Sequence, residues 1–195
     1  NVNTFVGYFD TYLKAIRARR ADAMPVTFIA NHDTDRAAGY LQVASGFAYV
    51  AANLSILLPG SSFIYYGEEI GMLGSRGGAN TDANRRLAML WGDEDTIRNP
   101  IGATYSSDKQ ITTTVSDQLA DENSLYNYYC RLIAIRHRYP AIARGNYNAV
   151  ICGAGKIGGF LIEYQQDFID IVRSDDLSAD VSKLIPDLFY CEAHQ

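Results

Sequence analysis

Apolar residues fall along this chain in two rhythms. Between residues 3 and 20, Phe5, Phe9, Tyr12 and Ile16 recur at the spacing of one helix face. Asn3 or Thr4 is placed to cap the start, and Arg17, Arg19 and Arg20 crowd the last turn, where the helix dipole favours cations. Pro25 breaks the rhythm. Val26 to Ala30 is an unbroken apolar run, which suits a strand buried on both faces in a parallel sheet, and it turns abruptly polar at Asn31-His32-Asp33. A second helix is predicted from about Ala37 to Leu58, with Tyr40, Val43, Phe47, Val50 and Leu54 on one face, and Pro59-Gly60 ends it. Ser61 to Tyr66 reads as a short strand whose polar end is Gly67-Glu68-Glu69. Helix, strand, helix, strand with short connections is the pattern of a parallel α/β fold.

From Gly71 to Asp121 the periodicity fades. A structureless stretch of this length in a compact domain is usually functional. It leaves the carboxyl end of the second strand, the face on which Asp33 is expected. A third helix is predicted over 124–138, with Leu125, Tyr128, Leu132 and Ile135 inward and Pro140 stopping it. Beyond Gly145 come short β-prone runs, Ala149 to Cys152, Phe160 to Tyr164 and Phe168 to Val172, so a domain boundary is expected at 145/146.

Composition narrows the function classes. A net charge of −5 without a large basic cluster argues against nucleic acid as a partner. No apolar run approaches the roughly 20 residues of a membrane span. Cys130, Cys152 and Cys191 share no metal-ligand spacing and define no disulfide framework. No targeting segment is visible, and the opening residue is Asn1 rather than Met, as expected of a piece of a longer protein. In parallel sheets and barrels, ligands and catalytic groups gather at the carboxyl ends of the strands. His32 and Asp33 sit at such an end. The plainer alternative is an N-cap aspartate beside a satisfied histidine.

Several motifs together resemble the alpha-amylase family of glycoside hydrolases. Phe28-Ile-Ala-Asn-His-Asp33 resembles its signature at the end of barrel strand seven. Pro59-Gly-Ser-Ser-Phe-Ile-Tyr-Tyr-Gly-Glu-Glu69 is similar to its strand-eight segment, and Asp82 to Trp91, with Arg86, Met89 and Trp91, to the loop that follows. The stretch 124–147 resembles the last barrel helix and its exit. The resemblance implies the C-terminal part of a (β/α)8 TIM barrel over residues 1–145. A truncated antiparallel β-sandwich would then begin at 146 and occupy 146–195.

The activity implied is retaining hydrolysis of α-linked glucans such as starch and maltodextrins. Retention needs a carboxylate nucleophile and a carboxylic acid about 5–5.5 Å apart, and hydrogen bonds to the sugar that tighten in the transition state. Carried over, Asp33 is the transition-state stabiliser and His32 its partner on the same ring. Asn31, Arg36 and Arg86 are the implied substrate-binding residues. Glu68 and Glu69 would alternate faces on a strand, so they are read as structural parts of the turn. The family's nucleophile and acid precede Asn-His-Asp, and no matching pair stands before Asp33 here. No metal or cofactor is expected from these residues; calcium ligands, common in the family, would lie upstream. Two rivals are a non-catalytic glucan-binding relative and a nucleotide-binding module. The second rests on Gly153-x-Gly155-x-x-Gly158, with Asp175 or Asp176 about 20 residues on.

Overall fold

The computed structural model describes residues 2–41, 46–152 and 157–164. Helix α1 (Val2–Arg19) forms over the predicted span, ends in Arg17 and Arg19, and already includes Asn3 and Thr4, so neither caps it. Strand β1 is Val26–Thr27 and strand β2 Ser61–Ser62. Both are shorter than the apolar runs that predicted them, because among the described residues each has only the other to pair with. Their bonds advance together along the two strands: Ser61 N–H donates to the Pro25 carbonyl and Phe63 N–H to that of Thr27, both at 2.8 Å. This is parallel pairing.

The predicted second helix is interrupted. Helix α2 (Ala38–Leu41) and helix α3 (Phe47–Leu57) flank 42–45, so the expected face position Val43 lies outside the described residues. The buried face of α3 is Ala48, Ala52, Ser55 and Ile56 rather than the bulky one, and Tyr40 and Phe47 are exposed. Small side chains let neighbouring chain approach the helix axis closely, so a face chosen by size alone misses it.

Helix α4 (Val115–Ala120) was not foreseen, although its start carries a sequence signal. The Thr114 hydroxyl accepts from the Asp117 N–H while the Asp117 carboxylate accepts from the Thr114 N–H, a reciprocal capping box. Helix α5 (Leu125–Arg138) forms over the predicted span and buries Leu125 and Leu132 as expected, but Tyr129 is buried in place of Tyr128, and Ile135 is half-buried. Pro140 opens the short helix α6 (Pro140–Arg144). Strands β3 (Asn146–Cys152) and β4 (Ile157–Glu163) pair antiparallel from Asn146↔Glu163 to Cys152↔Ile157.

The chain divides into two compact units. Among the described residues, the first joins 2–26, 57–61, 136–152 and 157–164. In it Val6 and Leu13 of α1 pack with Leu58 and Tyr147, flanked by Phe9 and Phe160. Phe9 meets Tyr147 edge-on at 5.1 Å, Tyr147 stacks on Phe160 at 5.2 Å, and the Tyr147 hydroxyl donates to the Val6 carbonyl. The second unit, 27–56 and 62–135, holds the irregular stretch. Its core is Ile70, Met72, Leu87, Met89 and Val115.

Three side-chain amides replace regular structure in that stretch. The Asn84 carbonyl accepts from the N–H groups of Thr104 and Tyr105, at 2.7 and 2.9 Å. Gln110 pairs with both backbone groups of Leu73, as a strand partner would. Gln118 donates to the Ile70 carbonyl and accepts from Tyr126 N–H. Buried backbone groups need partners, and these amides supply them where no ladder runs. The segment is irregular but tied down.

Candidate active site

Beyond Thr27 the chain makes a tight polar turn. The Asn31 side-chain carbonyl accepts from Asp33 N–H at 2.8 Å, and the Thr34 hydroxyl accepts from Asn31 N–H at 2.9 Å. These local bonds are the reason Asn and Thr favour turns. They leave the Asp33 carboxylate pointing outward, its side chain 64% exposed. His32 Nε2 lies 3.3 Å from Asp33 Oδ2. Asn31 spends its carbonyl on the turn, so it shapes the loop from within.

Arg86 reaches the turn from the segment after β2. Its Nη2 donates to Asp33 Oδ1 at 3.0 Å and its Nε to the His32 carbonyl at 3.1 Å. Four expected site residues, Asn31, His32, Asp33 and Arg86, are therefore brought together across more than fifty positions of sequence. Sequence reasoning missed three others. Asp35 Oδ1 accepts from Arg85 Nε at 2.7 Å and from Arg76 N–H at 3.0 Å, and Asp82 accepts from both Arg85 and Arg86. The N–H of Arg76, then the guanidinium of Arg85, hold the Asp35 carboxyl below its ordinary value. Adjacent arginines near separated aspartates were the only available signal.

Arg36 is the correction. Expected among the substrate-binding residues, it is 1% exposed. Its Nε donates to the Arg85 carbonyl at 3.1 Å, its Nη1 to the Tyr66 carbonyl, and its guanidinium lies 4.3 and 4.5 Å from the ring centres of Tyr65 and Tyr66. Arg36 therefore supports the loop from below. A planar cation suits this place, since it bonds in its plane and stacks on its faces.

Glu68 and Glu69 sit on a short 3₁₀ turn, 68–70, rather than alternating along a strand. Glu68 Oε2 accepts from the Tyr65 N–H at 3.2 Å, and the Ala30 N–H favours its charged form from the other strand segment. Burial pushes its carboxyl up to about 7. The two N–H groups and Arg36 pull it down, and the charge of Glu69 adds to the rise. Burial raises Glu69 as well. A raised carboxyl stabilises the fold below its unfolded value near 4.5, and that contribution is lost as pH rises through about 7. Glu68→Gln, which keeps the acceptor, is therefore expected to melt above wild type at pH 8. The gap, about 3 kcal/mol at most, closes towards pH 4.5. Melting temperatures across pH 4.5–8 check this; a constant gap contradicts it.

Among the described residues there is no group of three or more His, Cys, Asp or Glu side chains that could hold a metal ion. The described residues at both ends of the glycine-rich run are strands. Cys152 pairs with Ile157 across an antiparallel hairpin and Gly158 lies in β4, where a nucleotide fingerprint requires a helix. Gly153, Gly155, Asp175 and Asp176 lie outside the described residues, as does the expected strand 168–172.

Residues 2–145 match the family model for the alpha-amylase catalytic domain, nearly three quarters of the chain. The chain belongs to the alpha-amylase family. It is 39% identical over 127 residues to alpha-amylase SusG of Bacteroides thetaiotaomicron, a match covering 65% of this chain and 18% of SusG. It is 29% identical over 157 residues to alpha-amylase 3 of Dictyoglomus thermophilum, covering 79% of this chain and 30% of that one. Among solved structures it superposes on Eubacterium rectale Amy13B with a TM-score of 0.70 and 30% identity, over 82% of this chain and 31% of that one. This amylase-family chain thus spans about a fifth to a third of the length of these relatives. The solved neighbours are barrel proteins of the family, and the described residues of this chain form a partial fragment with helices and two small sheets.

Proposed function

We propose that this chain is the C-terminal part of the (β/α)8 catalytic barrel of a retaining glycosidase acting on α-linked glucans. Residues 1–145 belong to the barrel, and 146 onward begin an antiparallel β domain, a reading supported by the β3–β4 hairpin. Asp33 holds the 2- and 3-hydroxyls of the distorted sugar, and His32 binds the same ring. Asn31 and Arg86 fix the loop, and Arg36 supports it from within. Calcium, where the full-length protein carries it, is held outside these residues.

The observation that carries the reading is the Asp33 turn. An exposed carboxylate, shaped by Asn31 and clamped by Arg86, stands in the turn that follows a short parallel strand in an amylase catalytic-domain sequence. Phe28, Phe63 and Ile64 are exposed on the strand segments. Apolar surface so placed fits strands that further chain covers.

The nucleophile and the acid come from the remaining part of the barrel. The 195-residue chain assayed alone on soluble starch and maltoheptaose is therefore expected to match a buffer blank, while the full-length protein turns both over. Turnover by the chain alone that disappears in Asp33→Ala overturns the assignment.

A further inference from the structure

We propose that Asp82 is a positioning residue: it holds Arg85 and Arg86 side by side and thereby fixes the guanidinium that orients Asp33. The inference rests on the functional reading of Asp33 given above and extends it to a carboxylate that touches no sugar. Asp82 begins the 3₁₀ turn 82–85, whose preceding Thr81 accepts from Ala83 N–H. Arg85 and Arg86 follow it by three and four residues, the spacings that bring side chains onto one face of a helical turn. Each carboxylate oxygen takes one arginine: Oδ1 accepts from Arg85 Nη1 at 2.9 Å, and Oδ2 from Arg86 Nη2 at 3.3 Å.

The same Arg86 Nη2 donates to Asp33 Oδ1 at 3.0 Å. One nitrogen thus serves two carboxylates, while Nε is held by the His32 carbonyl. A guanidinium fixed at three points is a rigid plane, and Asp33 rests against it. The outer end is anchored too, because Arg85 Nε donates to Asp35, two residues beyond Asp33 on the same loop. Five charged groups alternate in sign: Asp35, Arg85, Asp82, Arg86, Asp33.

Asp82 has a second consequence. Without it, the positive charge of Arg86 falls on Asp33 alone and competes with the sugar hydroxyls for the carboxylate. Shared, Arg86 orients Asp33 through Oδ1, while Oδ2 faces His32 Nε2 at 3.3 Å. These groups are substantially exposed, with side-chain exposures of 32% for Asp82, 44% for Arg86 and 64% for Asp33. Exposed ion pairs contribute little to stability, so the role is orientation rather than holding the fold.

The test is a double-mutant cycle in the full-length enzyme, using Asp82→Asn, Arg86→Gln and the pair, with kcat and KM read on a maltooligosaccharide. Displacing a catalytic group by an ångström costs up to about 100-fold in rate, so Asp82→Asn is expected to lower kcat by about 10-fold or more. KM should stay within about twofold, since no sugar contact is removed. The pair should be no slower than Arg86→Gln alone, because Asp82 acts through Arg86. Asp35→Asn, acting from the other end through Arg85, should behave alike, which covers the case in which Asp82→Asn misfolds. Multiplicative losses in the cycle, or an unchanged kcat in both aspartate variants, overturn the proposal. Asp33→Asn run beside them separates the two levels. If it is harmless, the reading of the site fails; if it is severe while Asp82→Asn and Asp35→Asn are silent, only the positioning role fails.

Discussion

Asp33→Asn is expected to lower the catalytic constant of the full-length enzyme by about 10²–10³, roughly 3–4 kcal/mol, the usual cost of losing a preorganised transition-state hydrogen bond. The Michaelis constant should move little, because the 2- and 3-hydroxyls come into register with the carboxylate only as the ring flattens. Asparagine keeps the shape, and Asn31 still accepts the backbone N–H of residue 33, so the turn survives while the charge is lost. Asp33→Ala should be only slightly worse. His32→Ala should be milder, since it removes one donor beside the carboxylate rather than the carboxylate itself. Steady-state kinetics on a maltooligosaccharide check the ranking. An Asp33→Asn enzyme within about tenfold of wild type in kcat, a loss of only ~1.4 kcal/mol, contradicts it.

The second large effect is structural. Arg36→Met keeps most of the buried volume but removes the cation. It leaves the Tyr66 carbonyl without its guanidinium donor and the Arg85 carbonyl with only the Tyr65 hydroxyl at 3.4 Å, and takes away the positive charge that holds the Glu68 and Glu69 carboxyls down. Removing one partner from a buried charged cluster typically costs about 3–5 kcal/mol, because the remaining charges stay desolvated. Arg36 Nη2, Glu68 Oε1 and Glu69 Oε2 are buried without hydrogen-bond partners, so the substitution removes the unpartnered donor together with the cation and leaves both carboxylate oxygens unpartnered. Adding Glu68→Gln should recover part of the loss at pH 8, since it removes one of the stranded charges. Denaturant unfolding of the single and double variants measures both. A loss below about 1 kcal/mol in Arg36→Met means that the buried guanidinium is not what supports the loop.

The elements that strong periodicity marked are present: α1 over 2–19 and α5 over 125–138, with basic residues in their last turns. The turn from apolar to polar at Asn31 was equally legible, because an abrupt change at the end of a strand-like run has few other causes. Where the reading failed, the cause is local. The inner face of α3 is built from alanines, which carry too little hydrophobic weight to outrank Tyr40 and Phe47. The start of α4 is a capping box between Thr114 and Asp117, a four-residue signal lost inside a long aperiodic stretch.

Two site residues illustrate the limit of spacing alone. Arg36 stands three positions after Asp33, and the family resemblance implied a place for it at the substrate. Its side chain nonetheless turns inward, because two carbonyls and two aromatic rings are waiting there. Arg86 is fifty-three residues from Asp33 and touches it. No local pattern predicts that contact. It depends on a turn at 82–85 that is itself held by Asn84, whose side chain bonds to Thr104 and Tyr105. Long-range polar pairing of this kind becomes visible only in three dimensions.

The central claim is that Asp33 recognises the distorted sugar rather than the relaxed one, and differential binding tests it most directly. The measurement is the affinity of wild-type and Asp33→Asn full-length enzyme for two ligands, by calorimetry. One is an unreactive maltooligosaccharide in its relaxed ring form; the other is a positively charged, ring-flattened sugar analogue of the transition state. The account predicts that Asp33→Asn weakens the flattened analogue by about 100-fold or more and the relaxed sugar by no more than a few-fold. Equal weakening of both ligands would make Asp33 a ground-state binding residue and contradict the account.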